Sequence, residues 1–358
     1  MYKKILVPLD GSELASSVLP HLREIVSCTH AQVILLRATP EPIFPSVGTG
    51  PREPQQIDTP PRTLDGMAWR LKPDPVHRTE WIEHEVESAQ RYLTEVAADL
   101  AKSGIQARIL VQPGATAGAI LDAADHEGVD LITMATHGRS GIGRFLLGSV
   151  ADRVVHYAKV PVLLVRPDEP EGTSAKDTGF VNKRILVPLD GSPLANALLP
   201  HVRELAQCTG AKVLLLRVIP SPTVWPDEAE SFAFSGGLVS VGSYAIKEST
   251  LWTHEQDKQP EPPDTRRALQ AEHIREAAQN SLDVAATELR HADLQVETMI
   301  QEGKPAETIL DVAQSCHADA IAMSTHGRSG LQRFLLGSVA RRVLEYAKLP
   351  VLLVRVKE

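Results

Sequence analysis

The chain is predicted to be an α/β protein of two repeated, doubly wound (Rossmann-like) domains. Three observations predict it. The 358-residue sequence repeats itself once along its length. Within each copy, short runs of branched apolar residues alternate with amphipathic helical stretches. Glycine-rich loops follow the strands, at the edge where open parallel sheets bind ligands.

The repeat is read residue by residue. Ile5-Leu6-Val7-Pro8-Leu9-Asp10-Gly11-Ser12 recurs as Ile185 to Ser192, Leu19-Pro20-His21 as Leu199-Pro200-His201, and Cys28-Thr29 as Cys208-Thr209. Ala135 to Arg166 aligns with Ser324 to Arg355, with 25 of 32 positions identical. The offset changes from 180 to 189 between these blocks, which locates two unequal inserts, residues 41 to 80 and 221 to 269. The first insert is dense in proline (Pro42, Pro45, Pro51, Pro54, Pro60, Pro61, Pro73, Pro75) and lacks periodicity, as expected of a long loop or lid. The expected domains are therefore 1–166 and 183–358, with 167–182 as linker.

Each element has its own signal. Lys3 to Leu9 is a short branched apolar run, hence a buried strand. Residues 13 to 28 read as a helix that Pro20 should kink. Gln32 to Ala38 is the second strand, and residues 81 to 103 form a long amphipathic helix stopped by Gly104. Ile105 to Val111 (strand), 115 to 127 (helix), Asp130 to Thr136 (strand), a loop over 137 to 148, a helix from Ser149 to Lys159 and a strand over Val162 to Val165 complete the unit. Five strands alternating with four helices imply a parallel sheet covered on both faces.

Composition narrows the function classes. Apolar residues make up 43% and charged residues 23%, enough to build a globular core. A net charge of −8 argues against a nonspecific nucleic-acid binder. No run is long and apolar enough for a membrane span, and the charged start is no secretory signal. Three widely spaced cysteines, Cys28, Cys208 and Cys316, read as reduced thiols, which places the protein in the cytoplasm.

Two loops per copy carry the chemistry. The first is Pro8 to Ser12 (Pro188 to Ser192), with Asp10-Gly11-Ser12 and Asp190-Gly191-Ser192 at its tip. The second begins His137-Gly138-Arg139-Ser140-Gly141-Ile142-Gly143-Arg144 and ends Gly148-Ser149-Val150. Its counterpart holds His326, Gly327, Arg328, Gly330 and Arg333 before Gly337-Ser338-Val339. Glycines let several backbone N–H groups converge on one anion, and Gly148-Ser149 opens a helix whose first amides lack partners. The arginines add fixed cations. A helix dipole contributes only about 0.3–1 kcal/mol, so converging amides and a base pocket must supply most of any affinity. No Gly-Lys-Ser follows, so this is not an ordinary ATPase phosphate loop.

Several residues have plainer readings. Asp10 fits a turn or helix-start anion, Ser12 and Ser192 fit helix caps, and His137 and His326 fit neutral rings bonded to loop backbone. Asp122, Asp311, Asp130 and Asp319 default to solvated or capping roles, and His21 and His201 to structural ones. Cys28 and Cys208, at equivalent helix ends, read as packed thiols. Cys316-His317 is not spaced as a metal pair. Trp69, Trp81, Trp225 and Trp252 fall in or beside the inserts, where they would anchor them.

On the Ile-Leu-Val-Pro-Leu-Asp-Gly-Ser start, the Thr-His-Gly-Arg-Ser-Gly loop, the Leu-Leu-Gly-Ser-Val turn and the Pro-Val-Leu-Leu-Val-Arg end, each present twice, the sequence resembles the universal stress protein family. The resemblance implies five-stranded parallel sheets of order 3-2-1-4-5 and a bound adenine nucleotide, ATP (or ADP or AMP), often with a divalent ion such as Mg. The family's nucleotide-binding branch has Gly, two residues, Gly, nine residues, then Gly-Ser or Gly-Thr. Gly138 with Gly148-Ser149, and Gly327 with Gly337-Ser338, match the later parts. Ala135 and Ser324 stand in for the first glycine. By the same resemblance, Asp10 and Asp190 sit by the nucleoside, Ala38 and Val218 beside adenine, and Val150 and Val339 follow the phosphate-contacting serine. Tandem members pair their halves through the last strands, which sets Val162 to Val165 beside Val351 to Val354; a homodimer is also open.

Three functions fit these residues. The first is a nucleotide-dependent stress-response regulator read by a protein partner. The second is a slow ATP hydrolase or nucleotide-activating enzyme, with His137 and His326 as its candidate proton carriers and no carboxylate clearly placed to activate water. The third is a ligand-free interaction scaffold.

Overall fold

The computed structural model describes residues 2–39, 75–136, 147–166, 183–192, 196–221, 233–234, 237–238, 263–325 and 336–355. The expected linker, most of both inserts with Trp69, Trp225 and Trp252, and the side chain of Trp81 lie outside the described residues.

The first half runs β1 (Lys4–Pro8), α1 (Glu13–Ser16), α2 (Leu19–Thr29), β2 (Gln32–Thr39), α3 (Pro75–Lys102), β3 (Ala107–Pro113), α4 (Thr116–Glu127), β4 (Leu131–Ala135), α5 (Ser149–Tyr157) and β5 (Val162–Val165). Among the described residues the second half repeats this order, apart from α1, as β6 (Arg184–Pro188), α6 (Leu199–Thr209), β7 (Lys212–Ile219), α7 (Pro263–Arg290), β10 (Val296–Glu302), α8 (Pro305–Ser315), β11 (Ala320–Ser324), α9 (Ser338–Tyr346) and β12 (Val351–Val354). A two-stranded ribbon, β8 (Ala233–Phe234) with β9 (Gly237–Leu238), lies between β7 and α7.

The strands form one ten-stranded sheet of order β10-β7-β6-β11-β12-β5-β4-β1-β2-β3. Each half is a parallel sheet of order 3-2-1-4-5. The halves join where β12 meets β5 antiparallel, with Leu352 opposite Leu163. All eight residues of these two strands are buried. An apolar final strand thereby pairs its backbone groups instead of presenting a bare edge. Apolar layers cover both faces of the sheet and run across the junction. Ile5, Val7, Ile185 and Val187 share one layer with α2, α3, α6 and α7. Leu6, Ile34, Leu186 and Leu214 share the other with α4, α5, α8 and α9.

Three expectations change and one is narrowed. The helix expected over 13 to 28 is two helices. Ser12 caps α1, and Pro20 lies at the start of α2, where a helix has no need of an amide donor, so the proline opens a helix rather than kinking one. The long helix α3 starts at Pro75, inside the segment read as insert, and α7 starts at Pro263. Of the solvated and capping roles open to Asp130 and Asp319, the structure shows capping, at a strand rather than a helix: the Asp130 carboxylate accepts from the amides of Lys3 and Lys4 at 2.8 and 2.9 Å, and Asp319 accepts from Arg184 N at 2.8 Å. Each aspartate thus fixes the start of its half's first strand.

The third change concerns the cysteines. Cys28 and Cys208 are not packed thiols but a disulfide, with Cα atoms 5.4 Å apart. They end α2 and α6, which pack against each other across the junction, so equivalent positions in the repeat become neighbours in space. Cys316 is the free cysteine among the described residues. Nearby, Tyr2 stacks on His201 and its hydroxyl lies 3.3 Å from His201 Nδ1. Burial raises the Tyr2 phenol far above its usual range and lowers the His201 imidazole below 6.5. Both shifts favour the uncharged forms of the two rings. No helix among the described residues is long and apolar enough to cross a membrane.

Candidate functional site

Parallel strands end together, so the C-terminal edge of each half gathers residues far apart in sequence. β1 pairs β2 on one side and β4 on the other. The helix after β1 covers one face and the helices after β3 and β4 cover the other. Connections that leave β1 and β4 in opposite directions open a crevice between the strand ends. Pro8, Asp10, Ala38 and Ala135 sit at this edge in the first half, and Pro188, Asp190, Val218 and Ser324 in the second.

The first loop is a tight turn held by its own side chains. Asp10 Oδ1 accepts from Ser12 N at 2.9 Å and from Ser12 Oγ at 2.6 Å, and Asp190 with Ser192 repeats both distances. Ser12 Oγ in turn accepts from Ala15 N at 3.1 Å, capping α1. The turn requires φ of 83° at Gly11 and 76° at Gly191, which favours glycine. The turn reading of Asp10 and the cap reading of Ser12 are therefore both present in the structure.

The second loop is anchored where β4 ends. Thr136 N donates to Val165 O and Gly148 N donates to Thr136 O, both at 3.0 Å. In the second half Thr325 N reaches Val354 O at 3.0 Å and Gly337 N reaches Thr325 O at 2.8 Å. These bonds hold the N-termini of α5 and α9 against the strand ends. Gly148 and Gly337 occupy the cap positions without a side-chain cap, and Ser149 and Ser338 are exposed. The first-turn amides, including those of Val150 and Val339, have no acceptor within the helix. The arrangement is a donor set suited to an anion.

Ala135 and Ser324 are the last residues of β4 and β11, paired with Val165 and Val354. Neither has positive φ. The backbone at this point therefore asks nothing of glycine, and a small side chain is accepted. His137, Gly138, Arg139, Gly141 and Arg144, with His326, Gly327, Arg328, Gly330 and Arg333, lie outside the described residues. Among the described residues no three His, Cys, Asp or Glu side chains converge as a metal cage.

Sequence reasoning missed three charged positions. Asp152 lies in the first turn of α5, where α9 carries Arg341. Arg37 lies 5.4 Å over the Tyr92 ring, whereas Arg217 donates to Leu189 O at 3.2 Å and lies against Gly191. Arg166 and Arg355, the last residues of the repeated block, cross the junction to the opposite half. The aligned repeat held the signal for the first: Asp152 and Arg341 are one of its few mismatches.

Comparison with known proteins agrees with this architecture. The model of the universal stress protein family matches residues 1–166, 182–233 and 246–355. A universal stress protein of Mycolicibacterium smegmatis is 26% identical over 272 residues, 76% of each chain. Universal stress protein MJ0577 of Methanocaldococcus jannaschii is 31% identical over 166 residues, 46% of this chain and 96% of its own. The crystal structure of a universal stress protein from Archaeoglobus fulgidus superposes with a TM-score of 0.62 at 19% identity, covering 98% of each chain, a likeness of fold. With the family model matching both halves, on twin sheets of order 3-2-1-4-5, the chain belongs to the universal stress protein family.

Proposed function

We propose that the protein binds an adenine nucleotide, ATP, at the C-terminal sheet edge of each half, and that occupancy is read by a protein partner in a stress response. The observation that carries this reading is the pair of open helix starts. Gly148-Ser149 and Gly337-Ser338 present first-turn amides and exposed hydroxyls beside the ends of β4 and β11. A polyphosphate meets donors there, while Ala38 and Val218 offer small apolar surface for a base at the end of the second strand. The Asp10 and Asp190 turns lie between, next to a ribose. A nucleotide that ordered these loops in one conformation would shift the population a partner recognises. The Cys28–Cys208 bond removes the reduced-thiol argument for a cytoplasmic setting, because standing disulfides are rare in reducing compartments.

The test is calorimetric titration of Mg-ATP into wild type and into the Gly148→Asp plus Gly337→Asp double variant. Both glycines have extended backbone angles (φ −58° and −56°) that an L-residue adopts without strain, and aspartate is a favoured cap residue that would place a carboxylate where phosphate would bind. Wild type is expected to bind ATP and the double variant to lose it. Equal heats from both proteins would end the proposal.

A further inference from the structure

The two helices that open onto the nucleotide edges end at the junction between the halves. A helix leaves its last carbonyls without intrahelical donors and carries partial negative charge there. Neither α5 nor α9 has an arginine or lysine in its last turn. The missing cation comes from the other half. Arg355, following β12, donates from Nη1 to His156 O at 3.0 Å, in the last turn of α5. Arg166, following β5, donates from Nη1 to Glu345 O and Ala347 O, both at 3.1 Å, at the end of α9. The antiparallel β5–β12 pair sends each arginine past the other half's helix end.

A further contact runs in one direction. His156 Nδ1 lies 2.7 Å from Asp152 O, a carbonyl that can only accept, so this nitrogen carries the proton. Nε2 is then the acceptor for Leu336 N at 3.4 Å. Leu336 directly precedes Gly337-Ser338. The repeat places Glu345 at the position equivalent to His156, so the imidazole contact belongs to the first half's helix alone.

We propose that Arg166 and Arg355 are exchanged positioning residues: each arginine fixes the nucleotide-facing helix of the opposite half, so that each ligand site is completed from across the junction. The proposal rests on the nucleotide reading above. α5 and α9 are nine residues each, about 13 Å of helix, too short to be stable without tertiary contacts. Holding the C-terminal end of so short a rod fixes the aim of its N-terminal amides. Charge-assisted bonds to backbone carbonyls are well suited to this. The result is coupling: ordering the helix in one half steadies the strand and arginine that hold the helix of the other.

The experiment separates the sites. Gly337→Asp leaves the first-half site working and Gly148→Asp leaves the second. Arg355→Met is expected to weaken ATP binding about fivefold in the Gly337→Asp background and to leave it unchanged in the Gly148→Asp background. Arg166→Met should do the reverse, and Arg355→Lys, which keeps one charged donor, should recover most of the loss. General destabilisation would move both sites together. Hydrogen exchange without ligand provides a second readout: Arg355→Met should speed exchange in 149–157 and Arg166→Met in 338–346. Weakening of the arginine's own half, equal weakening of both sites, or no change in either measurement would overturn the proposal. If neither single-glycine parent binds ATP, the nucleotide reading falls, and the exchange measurement still decides whether the arginines hold the opposite helices.

Discussion

Gly191 and Gly148 flank equivalent crevices yet are glycine for different reasons. Gly191 has φ of 76°, and a Cβ there would lie 2.7 Å from Arg217 Nη1. Gly148 has φ of −58°, open to any residue. Gly191→Ala should therefore lower unfolding free energy by about 1–2 kcal/mol, while Gly148→Ala should lose only the cap preference of glycine over alanine, about 0.5–1 kcal/mol, as read from urea midpoints. The glycine pattern was legible in the sequence, but not this distinction, which depends on backbone angle. The same holds for the absent first glycine of the motif, since Ala135 and Ser324 are strand residues. Charge at the helix starts separates the halves in a second way. Asp152 opposes an anion at α5, and Arg341 favours one at α9. Asp152→Arg should tighten nucleotide binding by the first half about fivefold, given roughly 0.5 kcal/mol per unit of charge for solvent-screened charges about 8 Å apart. Calorimetry in the Gly337→Asp background would show it, and an unchanged affinity would remove Asp152 from the account.

Among the elements, α2 and α6 show where reading by local pattern stops. Their existence and type were legible from apolar spacing. Pro20 was misplaced by a turn, because a proline at a helix start and one inside a helix differ only in where the first turn begins. The Cys28–Cys208 bond was hidden for another reason. The two cysteines are 180 residues apart and become neighbours only once the halves are joined. By chain entropy a loop of that length stabilises the native state by about 5 kcal/mol. Reductant should accordingly lower the melting temperature by roughly 7 °C in a protein of this size. The Cys28→Ser plus Cys208→Ser variant should melt near the reduced wild type and ignore reductant. Identical melting of oxidised and reduced wild type would show that the bond adds nothing to the joint.

Ten strands, five from each half, make one continuous sheet among the described residues, and its symmetry is what the repeat made readable. The domain type and the strand alternation follow from local sequence. The strand order came from family resemblance, and the arginine exchange emerges only when β5 and β12 are seen antiparallel. The contacts at the joint are unequal copies of one another: the position of His156 is Glu345 in the second half, and Tyr2, which stacks on His201, has Asn182 as its counterpart. Two similar but unequal ligand sites, one per half, are the central claim. Native mass spectrometry of the full chain with Mg-ATP tests it most directly. The account predicts species carrying one and two nucleotides in wild type, no more than one in either Gly148→Asp or Gly337→Asp, and none in the double variant. A wild-type chain that stays at its bare mass, or a double variant that still carries nucleotide, would contradict it.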